Sequence, residues 1–253
     1  MPTITYDKKD LLNLIGKKLS DEQLEDVIHS MKTNVEDKTE TEITIELTPD
    51  RPDLFGIEGL ARAMKQYLGL QNGLKKFTVA SPQLHVRASY LPYRPHLAAA
   101  VVRNVSMTDA FIRSLMNIQD VLTDTIGRKR GKVAIGIHDF DKIIPNINYI
   151  EVNPSEKIIP LDTNEEMTLA EALEKISKGK DYGHILSGLK KLPVWTDAKG
   201  IFSFPPIINS ERTRVTEKTR NLLVELTGTD KEAVLQTLNI IVTNFAERGC
   251  TIE

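Results

Sequence analysis

A mixed fold of the α+β (mixed α/β) class is what this sequence predicts, from three observations. Strand-period alternation recurs along the chain, as in residues 41–47, TEITIEL. Helix-period apolar stripes lie between such runs, and two of them open with capping boxes, Ser20 with Gln23 and Thr168 with Glu171. The two kinds of segment interleave, with no internal repeat. At 253 residues the chain is long enough for two domains. A small N-terminal α/β module is expected over 1–80 and a larger mixed-sheet domain over 84–253. A linker with Gly73, two lysines and Pro82 joins them at about 71–83.

In the first module a short strand is expected at Ile4–Tyr6. Asp7 then caps a helix through Leu11, Leu12, Leu14 and Ile15 that ends at Gly16. Ser20 opens a helix with Leu24, Val27, Ile28 and Met31 on one face. After the 41–47 strand, Pro52 suits a first helical turn. Asp50 or Asp53 is placed there to accept from free backbone N–H groups. Leu54, Ile57, Leu60, Ala61, Met64 and Leu68 form the inner face of the helix that follows. In the second module, strands are expected at about 84–88, 97–103, 132–139, 147–152, 201–204 and 221–226. Helices are expected at Thr108–Thr125, from Leu169, and over about 230–247.

Bulk composition excludes several classes. No apolar run approaches the ~20 residues of a membrane span, and the N-terminus lacks a secretory layout. Cys250 is the only cysteine, so no disulfide framework or thiolate metal site is expected, and a reducing cytoplasm fits. A formal charge of −2 excludes a protein that simply coats nucleic acid. It leaves room for a local RNA contact at Arg128-Lys129-Arg130 with Lys132, or at Arg212, Arg214, Lys218 and Arg220; either cluster also reads as a solvated surface.

There is no nucleophile elbow, no phosphate loop and no H-E-x-x-H. His138 with Asp139 and Asp141 is the best candidate for a metal, outweighed by a solvated turn, so no metal is expected. His184 reads as a structural hydrogen-bonder. The stretch 201–228, IFSFPPIINSERTRVTEKTRNLLVELTG, holds Asn209, Ser210, Glu211 and Arg214 between two strands. That suits either an ordinary crossover or a rigidly held binding loop.

Three motifs in the same order decide between those readings. They are R-P-D-L…E-G-L-A-R at 51–62, Q-D…R-K-R-G-K-V-A-I-G-I-H-D at 119–139, and PPIINS…R-V-T…T-R-N…L-T-G at 205–228. With Y-G-H at 182–184 and N-I-I-V-T at 239–243, the chain resembles the N-terminal region and editing domain of the phenylalanyl-tRNA synthetase β subunit, archaeal and eukaryotic type. The resemblance implies hydrolysis of Tyr-tRNA(Phe), because a pocket shaped for phenylalanine rejects its hydroxylated isostere by only ~10²-fold. It places Asn209, Arg214, Gln119, Asp120 and Arg130 at the ester and terminal adenosine, and Ser203, Glu225, Thr227 and Trp195 near the tyrosine side chain. Two departures stand out: Glu225 where many relatives carry Asp, and Trp195 where a smaller aliphatic residue is usual. A glycine that relatives often carry between the positions of Thr213 and Arg214 is also missing. The alternation Leu223-Val224-Glu225-Leu226 leaves open whether Glu225 faces outward or inward.

The resemblance further implies that the subunit continues past residue 253 and that the synthetase α subunit is its partner in a cytoplasmic heterotetramer. The implied partners include neither DNA nor a membrane. No cofactor is implied for this part, the ATP and Mg of the whole synthetase being used at the α subunit. The expected mechanism has Asn209 and backbone N–H groups of the 205–210 bend polarising the ester carbonyl. Alternatives are a freestanding hydrolase acting in trans, or a non-catalytic tRNA-binding or assembly module.

Overall fold

A computed structural model describes all 253 residues. The chain begins with β1 (Thr3–Asp7), α1 (Lys8–Ile15), α2 (Asp21–Ser30), β2 (Asn34–Lys38) and β3 (Glu42–Glu46). A 3-10 turn at Pro52–Phe55 then leads into α3 (Ile57–Tyr67). The strands form an antiparallel sheet in the order β1-β3-β2. Asp7 caps α1 by accepting from Asp10 N, Gly16 ends it at φ 74°, and Ser20 and Gln23 close the expected capping box. β2 escapes detection because NVEDK is polar and almost wholly exposed.

The R-P-D turn is built differently from expectation. Pro52 does open a helical turn, but no side chain caps it. Arg51 grips Asp53 with two hydrogen bonds, at 2.9 and 2.8 Å, and so takes up the acid expected to cap. The turn instead presents Leu54 O to the buried hydroxyl of Tyr6 at 2.8 Å, which ties it to β1.

The rest of the chain runs β4 (Val86–Ala88), β5 (His96–Arg103), α4 (Asp109–Asp124), β6 (Val133–Asp139) and β7 (Ile147–Val152). Then follow β8 (Lys157–Ile158), β9 (Met167–Thr168), α5 (Leu169–Lys175) and α6 (Ser177–Tyr182). The last elements are β10 (Leu192–Asp197), β11 (Gly200–Phe204), β12 (Ile208–Asn209), β13 (Leu222–Gly228), α7 (Lys231–Glu247) and β14 (Thr251–Ile252). Two large sheets result, one ordered β14-β5-β13-β6 and the other β12-β11-β10-β7-β4, beside a two-stranded pair of β8 and β9. The first is wholly antiparallel, and in the second only β4 runs parallel to its neighbour.

Helices α4 and α7 cover one face of the four-stranded sheet. Their side chains merge with those of α3 and β1 into a single apolar core that runs from Ile4 to Ile252. The second sheet covers the other face, across a core of Leu91, Val101, Tyr149, Trp195, Phe202 and Leu223. A third cluster, with Leu169, Val194 and Phe204, fills the outer side of the second sheet beneath α5. Residues 71–83 form no helix, and their one bridge, Val79 to Ile252, lays the segment along β14.

The first module is fastened to α7 by charge as well as packing. Arg248 reaches Asp10 of α1 at 2.7 Å and Glu58 of α3, while its guanidinium lies 4.2 Å over the Phe111 ring. Burial holds the Glu58 carboxyl above its usual range, and the Arg248 charge and hydrogen bond pull it back down. Arg248→Met keeps the apolar stem and strands Glu58, so about 3 kcal/mol of stability should be lost at neutral pH. Without the guanidinium the folded-state value of Glu58 rises further, and the folded form then binds a proton that the unfolded form releases. Denaturant titrations should therefore show the deficit shrinking as the solution is acidified toward about pH 5.

Candidate functional site

The edge strands β6 and β12 of the two sheets meet beside α4, and a cavity of about 250 Å³ opens there. That is slightly below the ~300–1,000 Å³ usual for small-molecule sites. Along α4, residues Ile112, Leu115, Met116, Gln119, Asp120 and Thr123 line it. Their spacing of three and four marks one helical face. The opposite wall is the bend from Phe204 to Val215, with Ser203 behind it, and Lys178 and Asp162 stand at the rim.

Glu225 forms the inner end. All seven residues of β13 are buried, and Glu225 is 1% exposed. It pairs with Gly136 on β6 and Ala99 on β5, so small residues flank it on both sides. A Cβ at Gly136 would fall inside van der Waals contact with Glu225 Oε1 and lie 2.8 Å from His138 Nε2. The glycine therefore leaves the path by which the carboxylate crosses β6 toward the cavity. Ser203 donates to Oε1 at 2.7 Å, whereas Oε2 makes no hydrogen bond within the protein.

Ser203 is brought inward by a bulge. The β10–β11 register shifts after Trp195, which pairs with Ser203, while Thr196 pairs with Ile201. Phe202 is thus the extra residue, and both it and Ser203 face the space between the sheets, Phe202 as core and Ser203 as donor. Next in the row, Asn209 pairs with Ser203; its amide Nδ2 donates to Ile137 O at 3.3 Å, which leaves its second hydrogen unspent.

Arg130 enters from a strained turn. Arg128, Lys129 and Arg130 all have left-handed φ, 46°, 51° and 66°, a conformation costly for residues with a Cβ. The turn is held by the buried Arg94, which donates to Arg130 O at 3.2 Å and to Thr227 Oγ1 and Thr227 O at 2.7 and 2.8 Å. Burial pushes the Arg94 guanidinium down to about 10, with Tyr149 and Glu225 opposing. Arg130 in turn donates to Pro206 O and Ile207 O at 3.1 and 2.8 Å and stacks on Tyr182, while its Nε–H has no protein partner.

The cavity brings together Asn209, Arg214, Gln119, Asp120, Arg130, Ser203 and Glu225. Thr227 and Trp195 lie outside it. Thr227 is spent on Arg94, and Trp195 is fully buried behind Ser203, 5.2 Å from the Tyr149 ring. Arg214 is aimed away from the interior. Its fork grips Glu211 at 2.6 Å and Asp162 at 2.6 Å, and these hydrogen bonds hold its charge firmly in place.

Four of the six positions in the 205–210 bend cannot supply the expected backbone donors. Pro205 and Pro206 have no N–H, Ile207 N is bonded to Phe204 O, and Ser210 N to Phe202 O. His138 is not part of a solvated turn. It is fully buried with Nδ1 2.9 Å from Thr213 Oγ1, and no group of three acids, histidines or cysteines is placed to hold a metal. His184 does serve structurally, bonding Asp181 O at 3.0 Å. Lys178 was missed because nothing in its spacing marks it; partial desolvation at the rim of the cleft, and then the nearby Arg130 charge, push its ammonium down.

The sequence model of the B3/4 domain matches residues 99–249, and that of the Phe-tRNA synthetase beta subunit B1 domain matches residues 1–70. The chain belongs to the phenylalanine–tRNA ligase β-subunit family. It is 44% identical to the phenylalanine–tRNA ligase beta subunit of Methanocaldococcus jannaschii, over 98% of this chain and 46% of that one. The subunit of Methanopyrus kandleri is 42% identical over the whole of this chain and 44% of its own length. The chain thus spans a little under half of the curated relatives it matches. A crystal structure of an N-terminal fragment of the phenylalanyl-tRNA synthetase β subunit from Pyrococcus horikoshii has the same fold. Its TM-score is 0.96 at 38% identity, covering 99% of this chain and 75% of that one. No helix of this β-subunit chain is long and apolar enough to cross a membrane.

Gly136→Ala should cost about 1–3 kcal/mol, since the added methyl drives the Glu225 carboxylate off its Ser203 donor. Thermal unfolding checks the loss, and a crystal structure of the variant should show the carboxylate displaced from Ser203.

Proposed function

We propose that this β-subunit chain hydrolyses the ester of tyrosine mischarged on tRNA(Phe). The observation that carries the reading is the free Oε2 of a fully buried glutamate at the inner end of a closed-ended cavity. Such an oxygen accepts a phenol O–H, and phenylalanine entering the same place would leave it unpaired. A site that reads a hydroxyl in this way rejects the analogue lacking it by ~10⁴–10⁵. That is the discrimination which an apolar synthetic pocket lacks.

With the phenol at Glu225, the ester falls toward Asn209, Gln119 and Arg130, and the nucleotide toward the rim. The unspent Asn209 amide hydrogen and the Arg130 Nε–H are the donors for the developing oxyanion. Water adds to the carbonyl carbon; the ribose oxygen then leaves and takes up a proton, giving tyrosine and free tRNA. No histidine reaches the cavity to act as base, so the neighbouring ribose hydroxyl is assigned that assistance. The α subunit, with its ATP and Mg, would supply the aminoacylation that this chain does not. A freestanding or non-catalytic role finds no separate support in the site.

The experiment is deacylation of preformed Tyr-tRNA(Phe) and Phe-tRNA(Phe) by this chain. Tyrosine should be released faster. Asn209→Ala should slow that release about 10²-fold or more, and Glu225→Ala should abolish the preference for tyrosine. Equal rates for both esters with the wild-type protein would sink the proposal.

A further inference from the structure

His138 stands beside the carboxylate that reads the phenol, and the hydrolysis as proposed gives it nothing to do. Glu225 on β13 pairs with Gly136 on β6, and His138 lies two residues further along β6. His138 is therefore the diagonal neighbour of Glu225 on the same face of the sheet. With no side chain on Gly136 between them, His138 Nε2 comes to 3.7 Å from Glu225 Oε1. A Cβ on Gly136 would lie 2.8 Å from that same Nε2, so both groups converge over the glycine. Neither residue is more than 1% exposed. Phe202 packs against the imidazole edge to face, with ring centroids 5.1 Å apart.

Hydrogen bonds on the other side of the ring fix one of its protons. Thr213 Oγ1 donates to Ser210 O at 3.3 Å and so accepts from His138 Nδ1, at 2.9 Å. Nδ1 therefore carries a hydrogen. A neutral ring would then aim the lone pair of Nε2 at the carboxylate, with both groups buried and repelling. One further proton removes the conflict, either on Nε2 as an ion pair or on Oε1 as a neutral pair. None of the surrounding charges takes that place. Arg94 interacts with the Glu225 charge but spends its hydrogens on Thr227 and Arg130. Burial, opposed by Arg94 and helped by Glu225, keeps the Tyr149 phenol protonated. Beside Thr213, Arg212 is taken by Asp197, and Arg214 by Glu211 and Asp162. On β6 itself, Asp139 accepts from Thr219 and pairs with Lys142.

We infer that His138 and Glu225 share one proton between Nε2 and Oε1, and that His138 is through it a positioning residue for the Glu225 carboxylate. The shared proton and the Ser203 hydroxyl both engage Oε1. Oε2 is left as a pure acceptor, which is what a phenol O–H requires. Without His138, a proton drawn to the buried carboxylate is free to settle on Oε2 and turn that acceptor into a donor. The other ring nitrogen holds Thr213, so His138 also ties the carboxylate to the bend that carries Asn209. The part in selecting tyrosine rests on the proposed editing reading, whereas the shared proton does not.

Two measurements test it. NMR of the whole chain with isotope-labelled histidine and glutamate, assigned through the backbone, reads both groups at neutral pH. Either His138 Nε2 should carry a proton or the Glu225 carboxyl should be protonated. An unprotonated Nε2 beside an ionised carboxylate would overturn the inference. The second measurement is the ratio of kcat/KM for Tyr-tRNA(Phe) over Phe-tRNA(Phe). His138→Asn keeps a donor near the place of Nδ1 and removes Nε2, and it should lower the ratio about tenfold. His138→Gln carries its amide to the place of Nε2, donates to Oε1, and should hold the ratio within about threefold of wild type. An unchanged ratio with His138→Asn, whether or not both rates fall, would remove the positioning role, as would a larger loss with His138→Gln. Should His138→Asn fail to fold, His138→Gln against wild type carries the comparison. If wild-type protein cleaves neither ester, the editing reading fails, and the NMR measurement still decides the shared proton.

Discussion

A carboxylate sealed between two sheets is the constraint that the rest of the larger domain answers to. Burying Glu225 is expensive unless its oxygens find donors, and the fold meets that demand from several strands at once. Gly136 and Ala99 give it room on either side. The bulge on β11 turns Ser203 inward to donate, although the neighbouring Phe202 must also point into the layer. A small shift in any of these strands would leave the carboxylate either crowded or unpaired. The position of Glu225 is therefore set by sheet register, which is among the stiffest features a fold has.

The second element of the site is held by a chain of arginines. Arg94 fixes the carbonyl of Arg130 and is itself anchored on Thr227, two residues along β13 from Glu225. Arg130 passes the constraint to the carbonyls of Pro206 and Ile207 in the bend. The strained 128–130 turn is thus restrained through both the carbonyl and the side chain of Arg130, as a strained backbone at a working site requires. Arg94 carries a buried charge with no carboxylate in contact, and the hydrogen bonds to Thr227 and Arg130 are what make that burial tolerable.

Much of this was legible in the sequence where a local rule operates alone. The capping boxes at Ser20 and Thr168 form as their spacing requires. The cavity face of α4 follows directly from its period. The orientation of Glu225 was not legible, because a strand buried on both faces loses the alternation that would reveal it. β10 was hidden by Pro193, tolerated because β11 pairs only from Trp195 onward. The basic clusters divide: Arg128, Lys129, Lys218 and Arg220 stay exposed, while three other arginines are engaged inside. Arg212 is taken up by Asp197, Arg214 by Glu211 and Asp162, and Arg130 by backbone carbonyls. Residue type alone cannot say whether a charge faces solvent or is spent inside. Trp195 pairs with Ser203 and Thr227 lies two residues from Glu225 on β13, yet neither lines the cavity.

The merged core has a consequence for the order of events during synthesis. The inner face of α3 is complete once about 70 residues have been made, yet α7, its partner, comes only with residues 231–247. β14, which flanks β5, is later still. Until those residues are made, then, the part of α3 that α1 and α2 leave uncovered waits for its surface, a delay that favours shielding by chaperones. The cavity, assembled from α4, β6, the 204–215 bend and β13, becomes rigid only near the end of that wait.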